Sequence, residues 1–143
     1  MASLCHITAM PVTKCFSARL ADDGEGTAIL RGALAAAQEF AAEAALDSTL
    51  MARLAVVVEE LVANLLDHAG AGGIDLELEQ RDGEVLLTLE DDGAPFDPRA
   101  RGSFAGPRPG SGGGVGLELV KAWTEVTAYE TERGGNRLAL RMR

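Results

Sequence analysis

The chain has 143 residues, 47% hydrophobic and 24% charged, with a net charge of −9 and a pI near 4.6. Those values describe one folded domain rather than a disordered chain, and the acidic balance excludes generic nucleic-acid binding, which needs a basic footprint. No run approaches the roughly 18 apolar residues of a membrane span, and the first residues lack a basic stretch leading into an apolar core, so neither membrane span nor signal peptide is expected. Two cysteines, Cys5 and Cys15, make no disulfide framework and suit a reducing cytoplasm.

In chain order, "KCFSARL" alternates loosely and predicts a first strand that ends at "ADDGEG". Thr27 to Leu46 is alanine-rich and predicts a helix with Leu30, Leu34, Ala37 and Ala41 near one face. Asp47 and Ser48 offer N-cap chemistry for a second helix running to about His68, where "AGAGG" stops it. "IDLELEQ" and "EVLLTLED" around "RDG" predict a β-hairpin. "VGLELVKAW" predicts a short helix, and "EVTAYET" with "RLALRMR" around "ERGGN" a second hairpin. The order β, α, α, β, β, long loop, α, β, β predicts an α+β, two-layer sandwich. Its helices pack on one face of a mixed, mainly antiparallel sheet.

The loop from about Gly93 to Gly114 is unusually long and rich in Gly and Pro. Only 27 residues follow Gly116, too few for an independent core, so the loop reads as part of one site rather than a linker.

Three stretches carry chemistry. In "LAVVVEELVANLLDHA", Leu54, Val58, Leu61 and Leu65 form an apolar stripe, and Glu60, Asn64 and His68 stack at four-residue steps along its border. A carboxylate and an amide placed there suit a hard cation or a nucleophile, while a local Glu60–Asn64 hydrogen bond is the plainer alternative. His68, near a helix C-terminus, also suits the helix dipole. In "EDDGAPFDP", a carboxylate at a strand end followed by glycine lets a ligand approach the backbone; an acidic turn is the alternative. "GSGGGVGLELV" leads glycines into a helix N-terminus and can present N–H groups to phosphate, or be merely flexible. Neither G-x-x-x-x-G-K-[ST] nor G-x-G-x-x-G occurs; the glycines give G-x-G-x-G at Gly112, Gly114 and Gly116.

"EELVANLLDHA", "LEDDGAPFDP" and "GGGVGLELV", in that order, resemble the gyrase, histidine-kinase and MutL ATPase superfamily with its Bergerat ATP-binding fold. The E-x-x-x-N-x-x-x-H-A spelling, the D-x-G-x-P-F-D-P continuation and the closing "GGNRLALR" are similar to its stand-alone anti-sigma-factor serine/threonine kinases. The resemblance covers about residues 16–143 as one ATPase domain, with an ATP lid at about 93–114, and leaves 1–15 as an unassigned N-terminal segment. It implies ATP and Mg²⁺ as cofactors. Asn64 is implied as the metal ligand, Glu60 as the general base, and Asp91 as the acceptor for the adenine amine. Gly93 would give the base room; Gly112, Gly114 and Gly116 would wrap the phosphates, with Leu117 in the same nucleotide-binding set. Any lid cation must be Arg99, Arg101 or Arg108, since Lys14 and Lys121 are the only lysines. Many relatives carry threonine where Asn136 stands.

The activity implied is a cytoplasmic protein serine/threonine kinase of a bacterial partner-switching system. The resemblance implies that it phosphorylates an anti-anti-sigma (STAS-type) partner, can sequester a sigma factor, touches neither nucleic acid nor membrane, and forms a homodimer. A nucleotide-dependent binding module without significant kinase activity is the alternative. A histidine-kinase catalytic part is disfavoured, since His6 is terminal and His68 lies inside the motif helix.

Overall fold

A computed structural model describes residues 11–23, 25–99 and 115–143. Strand β1 (Val12–Arg19) leads into a single helical turn, α1 (Leu20–Asp23). Helices α2 (Gly26–Glu43) and α3 (Ser48–Asp67) follow, then the hairpin β2 (Gly73–Arg81) and β3 (Glu84–Asp91). Helix α4 (Val115–Trp123) precedes the second hairpin, β4 (Glu125–Glu132) and β5 (Gly135–Met142). The sheet order is β1-β2-β3-β5-β4, and the pairings are antiparallel throughout. The expected α+β sandwich is what the chain forms, with a sheet that is antiparallel among the described strands rather than mixed.

Alternation builds the sheet's inner face. Ile74, Leu76 and Leu78 of β2, Val85, Leu87 and Leu89 of β3, and Leu138, Leu140 and Met142 of β5 are all buried. Their neighbours Glu77, Glu90 and Arg137 point the other way. Asp82 and Gly83 at the first turn both have positive φ, 52° and 79°, the geometry a two-residue hairpin turn requires.

The helices cover that inner face. Asp47 caps α3 by accepting the Leu50 N–H at 2.8 Å, and Leu54, Val58, Leu61 and Leu65 are buried as their spacing predicts. The expected face of α2 packs on the core at all four positions, but its centre lies to one side of them. Ile29, Ala33, Ala36, Ala37, Phe40 and Ala41 are buried, whereas Leu30 and Leu34 are only partly so. In a run of alanines the two bulkiest inward residues, Ile29 and Phe40, decide which side faces the core. Helix α2 also ends at Glu43 rather than Leu46, because Ala45 takes a left-handed φ of 52° and the Leu46 N–H returns to the Ala41 carbonyl at 3.0 Å.

Strand β1 starts at Val12, before the predicted lysine, because Val12 and Thr13 continue the ladder opposite Gln80 and Glu79 of β2; Lys14 faces the helices and pairs with Glu39 and Glu43 of α2 at 3.1 and 3.2 Å. No helix among the described residues is long and apolar enough to cross a membrane.

Candidate functional site

The second half of α3 and the ends of β3 and β5 meet at one end of the sandwich. Glu60 and Asn64, one helical turn apart, are joined by a side-chain hydrogen bond. Asn64 is buried at 8% exposure, and its backbone carbonyl accepts N–H groups from His68 (2.9 Å) and Ala69 (3.1 Å) as the helix ends. His68 is the C-cap residue of α3. Burial raises the pKa of Glu60 from its ordinary value, helped by Glu59 and opposed by the Asn64 hydrogen bond and by His68.

The three acids at the end of β3 do three different things. Glu90 faces outward and pairs with Arg137 at 3.2 Å. Asp91 faces inward at the level of the core. Asp92 accepts the N–H groups of Gly72 and Gly73 at 2.7 and 3.0 Å, tying the loop after α3 to the end of β3.

Asp91 Oδ2 accepts the Gly93 N–H at 2.8 Å and the Asn136 amide at 3.2 Å, and the same Asn136 nitrogen donates to the Gly93 carbonyl at 2.9 Å. Burial raises the pKa of Asp91; the Gly93 and Asn136 donors lower it and neighbouring Asp92 raises it.

Gly93 lies hard against backbone. A Cβ there would stand 2.6 Å from the Ala69 carbonyl oxygen and 2.9 Å from the Ala71 nitrogen. Backbone cannot give way as a flexible side chain can, so Gly93→Ala is expected to cost about 1–3 kcal/mol of stability. Urea unfolding checks this, and an unchanged midpoint would show that the Ala69–Ala94 contact yields freely.

Residues 94–99 wall the same end. Ala94 N–H donates to the Ala69 carbonyl (2.8 Å), and Phe96 N–H to the Tyr129 hydroxyl (2.7 Å), while the Phe96 ring is buried. Leu61, Leu65, Leu89, Phe96, Tyr129 and Leu138 line a small apolar cavity between α3 and the sheet, with Asp91 as its one acid. A wider concavity of about 390 Å³ lies over the outward-facing Asp75, Glu90 and Arg137 and touches the site through Asp91 and Asn136. The slot encloses only about 10 Å³, so it supplies an apolar lining beside Asp91 and not a formed pocket.

Helix α4 closes the other side. A Cβ on Gly116 would overlap the Glu60 carboxylate, so the first turn of α4 sits directly on that acid. Leu117 is partly buried against the core, Val120 is buried, and the Arg53 guanidinium lies 5.2 Å from the centroid of the Trp123 ring, pinning the end of α4 to α3.

The structure sets Glu60 beside Asn64 with Gly116 against Glu60, and groups Asp91, Gly93 and Asn136 at the ends of β3 and β5; Leu117 packs against the core. Gly112, Gly114, Arg101 and Arg108 lie outside the described residues. Arg99 is bound to Asp97 at 2.7 Å, in a local turn. Sequence reading missed Phe96 and Tyr129 as parts of the wall, and noticed Asn136 only as a departure from related sequences. Its signal was position: the first residue after paired glycines, opposite Asp91 in the β3–β5 register.

These elements define an α+β domain, and comparison with known families gives its class. The sequence matches the family described as "Histidine kinase-like ATPase domain" over residues 21–142, and the chain belongs to that family. Comparison with curated proteins gives no match. Membership makes this an ATP-binding domain, with ATP-dependent phosphotransfer or ATP hydrolysis as its chemistry.

Proposed function

We propose that the protein is an ATP-dependent serine/threonine protein kinase of a partner-switching system, with a STAS-type anti-anti-sigma protein as substrate and a sigma factor as a second partner. The observation that carries this reading is the Glu60–Asn64 pair, held at the core border directly beneath the first turn of α4.

ATP supplies the transferable γ-phosphoryl group. The adenine would lie at the Asp91 end, with Asp91 as acceptor for its amine and with Gly93, packed on the backbone of Ala69 and Ala71, as part of the wall beside it. The donors near the phosphate end are oxygens, and no cluster of three or more His, Cys, Asp or Glu residues occurs among the described residues. That set fits Mg²⁺, which takes few protein oxygens and completes its shell with phosphate and water. Asn64 would hold it, where it neutralises phosphate charge.

Glu60 accepts the proton of the partner's Ser or Thr hydroxyl as that oxygen forms its bond to phosphorus. The bond from phosphorus to the bridging oxygen breaks, and ADP leaves with the electron pair. Burial suits Glu60 to this work, since a carboxylate with raised proton affinity is a stronger base at neutral pH. Gly116 leaves the Glu60 carboxylate the room it occupies.

The test is incubation with labelled ATP and candidate partner proteins. Phosphoserine or phosphothreonine on a STAS-type partner is expected. ATP binding without transfer to any partner would replace this reading with that of a nucleotide-dependent binding module.

A further inference from the structure

Among the described residues, Asn136 and Asn64 are the buried polar side chains, Asn136 at 6% exposure. It comes from β5, 45 residues from Asp91, yet its one amide nitrogen serves two acceptors. One is Asp91 Oδ2, the other the Gly93 carbonyl, and the Gly93 N–H closes the ring by donating to the same Oδ2.

Two donors on Oδ2 hold the carboxylate in one rotation and leave Oδ1 with no donor among the bonds of this ring. A primary amide is well suited to this, because it supplies two N–H groups and does not itself titrate. The same amide also anchors the glycine against which a base must lie. Gly93 itself cannot be moved far, given its contact with Ala69 and Ala71.

We propose that Asn136 is the positioning residue that fixes the acceptor edge of Asp91, and thereby sets selection for a purine bearing an exocyclic amine over one bearing a carbonyl at that place. The proposal rests on the reading of this end of the site as the base pocket. A carboxylate locked as acceptor repels a carbonyl oxygen, whereas a freely turning or protonated one discriminates less.

Several groups share the electrostatics of Asp91. Asp92 adjoins it on β3, and Tyr129 on β4 feels its charge. Asp75, Arg19, Glu130, Glu132, Arg133, Glu90 and Arg137 border the open concavity on its outer side, while α3 presents only Leu61 and Leu65 to the inner slot. Of these surroundings, the Asn136 and Gly93 donors lower the carboxyl's proton affinity, against burial and Asp92, which raise it. Removing Asn136 therefore moves the titration upward. As pH falls, the variant loses its ionised Asp91 at a higher pH than the wild type does.

The experiment uses the whole chain. In nucleotide-free wild-type protein, NMR is expected to show the Asn136 side-chain amide signals moving with pH in step with the Asp91 carboxyl; absence of that co-titration overturns the clamp. Asn136→Ala is expected to weaken ATP binding about tenfold, to reduce the preference for ATP over GTP by a similar factor, and to shift the Asp91 titration upward. Asn136→Ser, which keeps one donor, recovers part of each effect. Equal losses for ATP and GTP with an unmoved Asp91 titration would reduce Asn136 to a structural residue and sink the proposal. Wild-type protein that binds neither nucleotide overturns the reading of the pocket and its selectivity, while the co-titration still decides the clamp.

Discussion

Replacing Glu60 with glutamine is expected to leave ATP affinity within a few-fold of wild type and to lower phosphoryl transfer by roughly 10²–10⁴-fold, the usual contribution of a positioned general base. Glutamine keeps the size of the side chain, its place beneath Gly116 and a polar partner for Asn64. What it loses is the ability to take a proton. Binding and transfer must therefore be measured separately, by titration calorimetry and by the initial rate of phosphoprotein formation. The pH profile adds a second readout. Burial raises the Glu60 pKa, so the fraction of ionised base falls as pH drops through that raised value, and the wild-type rate falls with it. Glu60→Gln should lack that limb. Transfer by Glu60→Gln at the wild-type rate would remove Glu60 from the chemistry.

Much of the scaffold that holds Glu60 was legible because it is local. The Asp47 cap, the stripe at Leu54, Val58, Leu61 and Leu65, and the glycines after His68 all act within one or two helical turns. The hairpins were legible for the same reason: Asp82–Gly83 encodes its turn by backbone sterics alone. Lys14 illustrates the opposite case. A lysine on the inward side of β1 breaks the visible alternation, and only the two glutamates of α2 explain it. The face of α2 was only partly legible, with Ile29 and Phe40 unmarked, because alanine gives little contrast between sides. Nothing near Val126 announces the register shift between Val126 and Ala128 either; that irregularity appears only against β5.

The site divides in the same way. Glu60 and Asn64 stand on one helix face by arithmetic, and Asp91–Gly93 stands at a strand end by pattern. Their convergence is tertiary: α3 and β3 meet because both bury leucines against the same core. The closing contacts are more remote still. Asn136 to Asp91, Tyr129 to Phe96 and Gly116 to Glu60 join segments separated by 45, 33 and 56 residues, the last being 116 minus 60. No local pattern predicts them. "EDD" shows the limit at single-residue scale, since three adjacent acids serve an ion pair, a buried acceptor and a loop tether.

Loss of Asn64 should separate the two ends of the pocket. In Asn64→Ala the fold is expected to persist, because the backbone carbonyl of residue 64 still accepts the His68 and Ala69 N–H groups and the removed amide leaves only a small gap. The proposed base end, at the hydrogen-bonded group Asp91, Gly93 and Asn136, is untouched. ATP measured in excess chelator should therefore bind the variant about as it binds the wild type. With Mg²⁺ present the two should diverge. Removing an oxygen donor to a charged group costs about 1.5–3 kcal/mol, which is roughly a ten- to hundredfold loss of Mg²⁺-dependent affinity. Glu60 also loses the hydrogen bond that lowers its proton affinity, so burial holds it protonated over a wider pH range and transfer falls further than binding does. Titration calorimetry with and without Mg²⁺, on a variant whose circular dichroism matches wild type, separates these effects. If Asn64→Ala retains wild-type affinity for Mg²⁺·ATP, the metal does not reside at Asn64, and the phosphate end of the pocket must be sought elsewhere along α3.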